Sequence, residues 1–148
     1  MLKRLAATRA PAAVILVRLM VGAVFLSEGV QKFLFPAEVG AGRFAKIDFP
    51  LPEIVAPFVG CFEIACGTLV LFGFLTRLAV VPLIVIMLTA IATTKYPILR
   101  EHGFWKMAHE ARTDWAMLLG SLFLLILGAG SISIDAALTR DERRASRP

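Results

Sequence analysis

Four long apolar runs constrain this chain more than any other feature of its sequence. They cover about residues 12–35, 51–74, 78–96 and 114–134. A helix needs roughly 20 apolar residues to cross about 30 Å of hydrocarbon, and each run is close to that length. Because the runs occupy most of the 148 residues, no room is left for a soluble catalytic domain. The sequence therefore predicts an all-α fold, an integral membrane four-helix bundle in a single transmembrane domain.

The composition agrees with a membrane protein. Hydrophobic residues make up 58% of the chain and charged residues only 18%, with a mean hydropathy of +0.78, more apolar than a soluble core of this size needs. The first run follows basic residues, as a signal peptide does. It is too long for the apolar core of a signal peptide and contains charged residues, so we interpret it as a retained helix.

The segments outside the runs predict the topology. In the first loop, residues 44–49 form a short amphipathic piece that is expected to be an interfacial helix, and the tail at 136–148 is predicted to be disordered. Both termini are predicted to be cytoplasmic, because one side then holds more Lys and Arg than the other. That side has Lys3, Arg4, Arg9, Arg77, Arg140, Arg143, Arg144 and Arg147, and the other has Arg43, Lys46, Lys95, Arg100, Lys106 and Arg112. The net charge of +5 indicates contact with the lipid membrane, and no basic groove with aromatic residues indicates a nucleic acid.

Charged residues inside the first two runs align with glycines. The first helix is predicted to carry on one face Arg18, Gly22, Phe25, Gly29 and Lys32, with Glu28 at the edge, and the second to carry Gly60, Glu63, Gly67 and Leu71. Glycines beside a charge let two helices approach and direct the charge inward. We therefore expect these two stripes to face each other.

Glu63 is the charge that most needs an explanation, because it lies near the middle of its run. An ionised group at the bilayer centre costs at least about 2.5 kcal/mol. Two explanations are an ion pair with Arg18 and a protonated carboxyl. Glu28 and Lys32, four residues apart, could form a local ion pair. One interpretation of all these charges is helix assembly alone, and the other is a functional site, with Glu63, Glu28 and Asp114 as candidate proton-relay residues.

The start of the fourth run is predicted to bring Asp114 near Glu28, Lys32 and Lys95 at one end of the bundle. His102 and His109 have no third ligand nearby, so no metal site is expected. Cys61 and Cys66 are five residues apart on a helix, which places them on different sides and disfavours a thiol relay. The sequence contains no haem motif, cysteine cluster or dinucleotide loop, so no haem or flavin site is evident.

Three segments carry a resemblance to a known family. They are RLMVGAVFLSEGVQKF, AGRFAKIDFPLPEIVAPFVGCFEIACGTLVLFGFLTRLAVVPL and GFWKMAHEARTDWAMLLGSLFLLILGAGSISIDAAL. Together they resemble the DoxX family of small bacterial four-helix membrane proteins over about residues 18–138. The resemblance implies a multi-pass protein of the bacterial inner membrane. Through the kinship of DoxX with DoxD, a subunit of a thiosulfate:quinone oxidoreductase, it also implies a quinone-linked redox role.

The expected function is therefore that of a subunit of a quinone-linked membrane oxidoreductase system. Candidate contacts to a quinone or an anion are Lys32, Arg18, His109 and Arg112. Because the chain has no visible electron carrier, a redox partner protein is expected. Two alternatives stay open, a non-catalytic scaffold for a redox enzyme and a small proton-coupled exporter that uses Glu63 or Glu28. The stripes of small residues also permit a homo-oligomer.

Overall fold

The computed structural model describes residues 10–145, with side chains as far as residue 140. Within that range the regular structure is helical and contains no strand. The elements are α1 (Val14–Leu34), α2 (Ala41–Lys46), α3 (Pro52–Phe72), α4 (Thr76–Ala90), a π-helical segment (Ile91–Lys95), α5 (Tyr96–His102), α6 (Phe104–Glu110), α7 (Arg112–Leu127) and α8 (Ile134–Ala145). Six of the basic residues counted to predict the membrane orientation have side chains outside the described part: Lys3, Arg4, Arg9, Arg143, Arg144 and Arg147.

Three helices in the described part are long and apolar enough to cross a membrane. They are Val14–Leu34, Pro52–Phe72 and the continuous helix Thr76–His102, which joins α4, the π-helical segment and α5. The chain is thus a membrane protein with several apolar helices, as the sequence predicts. The helix that contains the third predicted span, at 78–96, continues through more polar residues up to His102.

The fourth predicted span, at 114–134, differs more from the structure. Its helix, α7, contains 16 residues and ends at Leu127. Gly128 and Gly130 follow with φ values of 82° and 80°, a left-handed backbone that a helix cannot continue. Residues 128–134 contain no charged side chain, so the sequence prediction extends the helix through a segment that is not helical.

The predicted disordered tail is also corrected over most of its length. Residues 136–145 belong to helix α8, and residues 146–148 lie outside the described range. Asp135 fixes the start of α8, because its backbone N–H donates to the Gly73 carbonyl at 2.9 Å. A polar sequence with few apolar residues gives no sign of this long-range contact.

Helix α3 begins and ends at residues suited to those positions. Pro52 occupies its first turn, where a missing N–H costs nothing. Gly73 closes it with φ 67°, and its N–H donates to the carbonyls of Leu69 and Val70. The short connection to Thr76 makes α3 and α4 antiparallel neighbours, as the loop length predicts.

The four long helices pack as two antiparallel pairs, α1 with α3 and α4 with α7. The pairs contact each other most closely through a core of buried apolar side chains: Val21, Phe25, Val70, Val80, Leu83 and Leu124. We call the end with the Gly73–Leu75 connection and Asp135 the closed end, and the end with α2 and Lys95 the open end. Helix α2 packs on α3 at the open end, and the Phe44 and Phe49 rings meet edge to face at 5.3 Å. The short helix of the first loop covers Ala41–Lys46 and not the predicted residues 44–49, and its contact with a membrane surface stays a prediction.

Candidate functional site

Glycines bring α1 and α3 into backbone contact. A Cβ atom added to Gly29 would lie 2.8 Å from the Gly60 carbonyl oxygen, and one added to Gly67 would lie 2.8 Å from the Leu26 backbone nitrogen. Arg18, Gly22, Phe25, Gly29 and Lys32 are all buried, as are Gly60, Glu63 and Gly67. The prediction that the two stripes face each other is confirmed.

This close approach places a buried ion pair between the two helices. Lys32 Nζ lies 2.6 Å from Glu63 Oε2, and the two side chains are 7% and 3% exposed. The predicted partner of Glu63, Arg18, is therefore wrong, and the local pair of Glu28 with Lys32 is wrong as well. Lys32 lies in the last turn of α1, and its long side chain reaches Glu63 on α3.

The second pair of helices carries a corresponding ion pair. Lys95 Nζ lies 3.2 Å from Asp114 Oδ2, with the side chains 11% and 20% exposed. Lys95 ends the π-helical segment, where the Tyr96 N–H donates to the Ile91 carbonyl five residues earlier. The extra residue in this turn rotates the following side chains around the helix axis, and such π turns occur often at functional sites. The sequence predicts that Asp114 and Lys95 are near each other, and the structure confirms it.

Both ion pairs line one cavity of about 560 Å³ at the open end, a volume within the range of small-molecule sites. Its walls are mostly apolar, with contributions from Val24, Phe25, Val59, Val85, Ile86 and Met117. Helix α2 and its flanks cover the cavity with Val39, Arg43, Phe44, Ile47 and Phe49. Its charged lining consists of Glu28, Lys32, Arg43, Glu63, Lys95, Glu110 and Asp114. The cavity therefore combines an apolar body with a few charged groups, the usual lining of a ligand site.

Three of the carboxylates that line the cavity have a lysine partner. Glu63 pairs with Lys32, Asp114 with Lys95, and Glu110 with Lys106, whose Nζ lies 3.3 Å away. The hydrogen bond from Lys106 holds the pKa of Glu110 below its usual value. Within the described residues, the half-buried Glu28 has neither an ion pair nor a hydrogen bond to its side chain.

Three of the predicted site residues do not line the cavity. His109 and Arg112 are exposed and contact each other, with 2.6 Å between His109 Nε2 and an Arg112 guanidinium nitrogen. Arg18 is buried at the closed end. Of the predicted contacts to a quinone or anion, only Lys32 lies in the cavity, whereas all three candidate proton-relay residues, Glu28, Glu63 and Asp114, line it. No group of three metal-ligating side chains occurs among residues 10–140.

Arg18 joins the helix ends at the closed end of the bundle. Its guanidinium donates to the carbonyls of Val70 and Leu71 at 2.9 and 2.5 Å, and to those of Ala129 and Ile132 at 3.2 and 2.5 Å. The first two carbonyls belong to the last turn of α3, which carries partial negative charge. Arg18 is thus a structural residue that fixes the segment after α7 against α3.

Asp135 completes the closed end, and sequence analysis gives it no such role. Its carboxylate accepts hydrogen bonds from the N–H groups of Leu75 at 2.8 Å and Thr76 at 3.1 Å. These donors open α4, so a residue 59 positions away supplies the helix cap. Leu75 has φ 48°, a strained conformation for a leucine, and the hydrogen bond to Asp135 helps to hold it. The Asp135 carboxylate also interacts electrostatically with Arg18.

Arg77 binds the carbonyl groups at the end of α7, as Arg18 does at the end of α3. Its guanidinium donates to the carbonyls of Leu125 at 3.1 Å and Ile126 at 3.0 Å, in the last turn of that helix. The closed end is therefore a set of charge-to-helix-terminus contacts, and the open end holds the ion pairs and the cavity. The residues that can contact a ligand therefore lie at the open end.

Comparison with known proteins identifies the family of this chain. The DoxX family model matches residues 13–96, a range that includes Lys32, Glu63 and Lys95. The chain belongs to the DoxX family. Over 143 residues this DoxX protein is 50% identical to an uncharacterized membrane protein of Mycobacterium tuberculosis, covering 93% of the chain and 88% of that relative.

A second relative of this DoxX protein is more distant. It is named "Putative oxidoreductase CatD" and comes from Bacillus subtilis, with 25% identity over 136 residues, 89% of this chain and 91% of that protein. No solved structure matches the DoxX chain significantly.

Proposed function

We propose that this DoxX protein binds the headgroup of a membrane quinone in the open-end cavity and acts as a subunit of a quinone-linked oxidoreductase system. The observation that carries the proposal is one cavity of about 560 Å³ lined by apolar side chains and by two lysine–carboxylate pairs. The name of the distant Bacillus subtilis relative is consistent with a redox role.

The donors in the cavity fit a ligand with carbonyl oxygens. An ammonium group has three N–H donors. Within the described residues, Lys32 and Lys95 each form one ion pair, which leaves N–H groups for a ligand oxygen. Since the two lysines stand on different helix pairs, they can contact different oxygens of one ligand. The apolar residues of the cavity suit the ring and the first part of an isoprenoid chain.

A bound quinone would supply the electron-accepting chemistry, and the chain would bind and orient it. Because no electron carrier is visible in the sequence, we propose that a partner protein delivers the electrons. The protein would lie in the bacterial inner membrane with both termini in the cytoplasm, and α7 would form the fourth crossing. At 16 residues, α7 would need the flanking residues at 110–111 and 128–132 to complete its passage through the hydrocarbon.

The direct test is equilibrium binding of a short-chain ubiquinone and a short-chain menaquinone to the purified protein in nanodiscs. Wild type is compared with Lys32→Met and Lys95→Met. The matched control is Lys46→Met, which removes an exposed lysine of α2 that does not line the cavity. We expect saturable binding by wild type and by the control, and a loss of at least about tenfold in affinity for each cavity variant, since each loses a charge-assisted hydrogen bond.

Absence of binding in folded wild-type protein would contradict the proposal. In that case two further measurements separate the alternatives. If the protein copurifies with a soluble redox enzyme but binds no quinone itself, the scaffold is favoured. If a pH gradient drives substrate flux into proteoliposomes that contain the protein, the exporter is favoured.

A further inference from the structure

We propose that the cavity selects the reduced, hydroxyl-bearing form of its ligand, because the Glu28 carboxylate accepts a hydrogen bond from a ligand hydroxyl. The inference rests on the proposed function and adds to it. It assigns different roles to the carboxylates of the cavity, with Glu63 and Asp114 holding the two lysines and Glu28 contacting the ligand.

The first observation is the position of Glu28. It lies on α1 one turn before Lys32 and lines the cavity together with both ion pairs. Its side chain is half-buried, and in the described part of the chain it has neither an ion pair nor a hydrogen bond. Glu28 is close enough to Glu63 for their charges to repel each other. A carboxylate in this position lacks the compensation that the neighbouring acidic residues have.

The second observation is that each of the other cavity carboxylates is paired with a lysine. Lys32 contacts Glu63 at 2.6 Å, Lys95 contacts Asp114 at 3.2 Å, and Lys106 contacts Glu110 at 3.3 Å. The remaining cation of the lining, Arg43, is exposed on α2 and is not within ion-pair distance of Glu28 in the described structure. Among the described residues, Glu28 is therefore the carboxylate of the lining that has no lysine partner.

The chemistry of a carboxylate decides which ligand form it favours. An ionised carboxylate only accepts hydrogen bonds. It repels the carbonyl oxygen of a quinone, which is also only an acceptor. The hydroxyl group of a quinol donates to it, and hydrogen bonds to charged groups are the stronger class. The second oxygen of the same quinol can accept from a lysine N–H, so one ligand satisfies both kinds of group.

The experiment measures both redox forms under identical anaerobic conditions. Dissociation constants of decylubiquinone and decylubiquinol are determined at neutral pH for wild type, Glu28→Gln and Glu38→Gln. Glu38 is the matched control, an exposed glutamate that does not line the cavity. We expect wild type and Glu38→Gln to bind the quinol at least about tenfold more tightly than the quinone. Glu28→Gln should lose this preference, and its affinity for the quinone should stay the same or rise, because the repulsion of the carbonyl oxygen is removed.

The outcomes separate the inference from the function on which it rests. Binding of both forms with equal affinity by wild type would overturn the inference and leave the proposed quinone site intact. A preference for quinol that persists in Glu28→Gln would likewise overturn the assignment to Glu28. Binding of neither form by folded wild type would overturn the proposed function itself.

Discussion

Lys32 Nζ and Glu63 Oε2 lie 2.6 Å apart at a point where glycines bring α1 and α3 into backbone contact. Both side chains are more than nine-tenths buried, so each charge depends on the other for compensation. A buried charge that loses its partner is strongly destabilising, whereas removal of both charges together costs much less.

A double-mutant cycle tests this dependence. We expect Lys32→Met and Glu63→Met each to lower the free energy of unfolding by about 3 kcal/mol, and the double variant to lose much less than the sum. The measurement is reversible unfolding in mixed detergent micelles as the fraction of denaturing detergent rises. The matched control is the exposed pair Lys106–Glu110, in which Lys106 Nζ lies 3.3 Å from Glu110 Oε1. This pair should give little coupling energy. Additive losses at Lys32 and Glu63 would contradict the expectation.

The cap that Asp135 provides for α4 leads to a second prediction. Asp135→Ala removes both hydrogen bonds to the Leu75 and Thr76 N–H groups and leaves one donor buried, that of Thr76, and one partly buried, that of Leu75. We expect a loss of about 2 kcal/mol in the same unfolding measurement. Asp135→Asn keeps one acceptor oxygen and should lose less. The exposed Glu38→Ala should leave stability unchanged, and an equally small effect of Asp135→Ala would refute the capping role.

The glycine contacts between α1 and α3 predict unequal effects of the same substitution. At Gly29 and Gly67 an added methyl group would meet backbone atoms at 2.8 Å, which forces the helices apart. We expect Gly29→Ala and Gly67→Ala to cost about 1–3 kcal/mol. At Gly60 the first atom met is the Phe33 ring at 2.8 Å. Because Phe33 is 46% exposed, its ring can move, and Gly60→Ala should cost less. Thermal unfolding of the three variants checks this order.

The orientation in the membrane is tested by cysteine labelling from one side. In a variant without Cys61 and Cys66, we expect Glu101→Cys, at the open end, to react with a membrane-impermeant maleimide added to intact spheroplasts. Arg140→Cys, near the closed end, should react only after the membrane is permeabilised. Both side chains are exposed, so accessibility of the residue itself does not decide the result. The reverse pattern would place the termini outside the cytoplasm.

The apolar runs by themselves determine that this chain is a helical membrane protein, because lipid requires long apolar helices that satisfy their own backbone hydrogen bonds. The alternation of glycines with Lys32 and Glu63 at helical spacing also predicts that α1 and α3 face each other. These features depend on residues close together in the sequence, so the length of the apolar runs and the helical spacing of the glycines and charges can be read from the sequence itself.

Only the tertiary structure decides which charges meet. Their predicted depths in the membrane favour Arg18 as the partner of Glu63. In the structure Arg18 binds carbonyl groups at the end of α3 and in the segment after α7, and Lys32 pairs with the Glu63 carboxylate. Asp135 caps a helix that begins 59 residues earlier. Each of these contacts depends on helix rotation and on the relative position of two distant segments. Sequence spacing fixes neither quantity, because helix rotation and position follow from packing across the whole bundle.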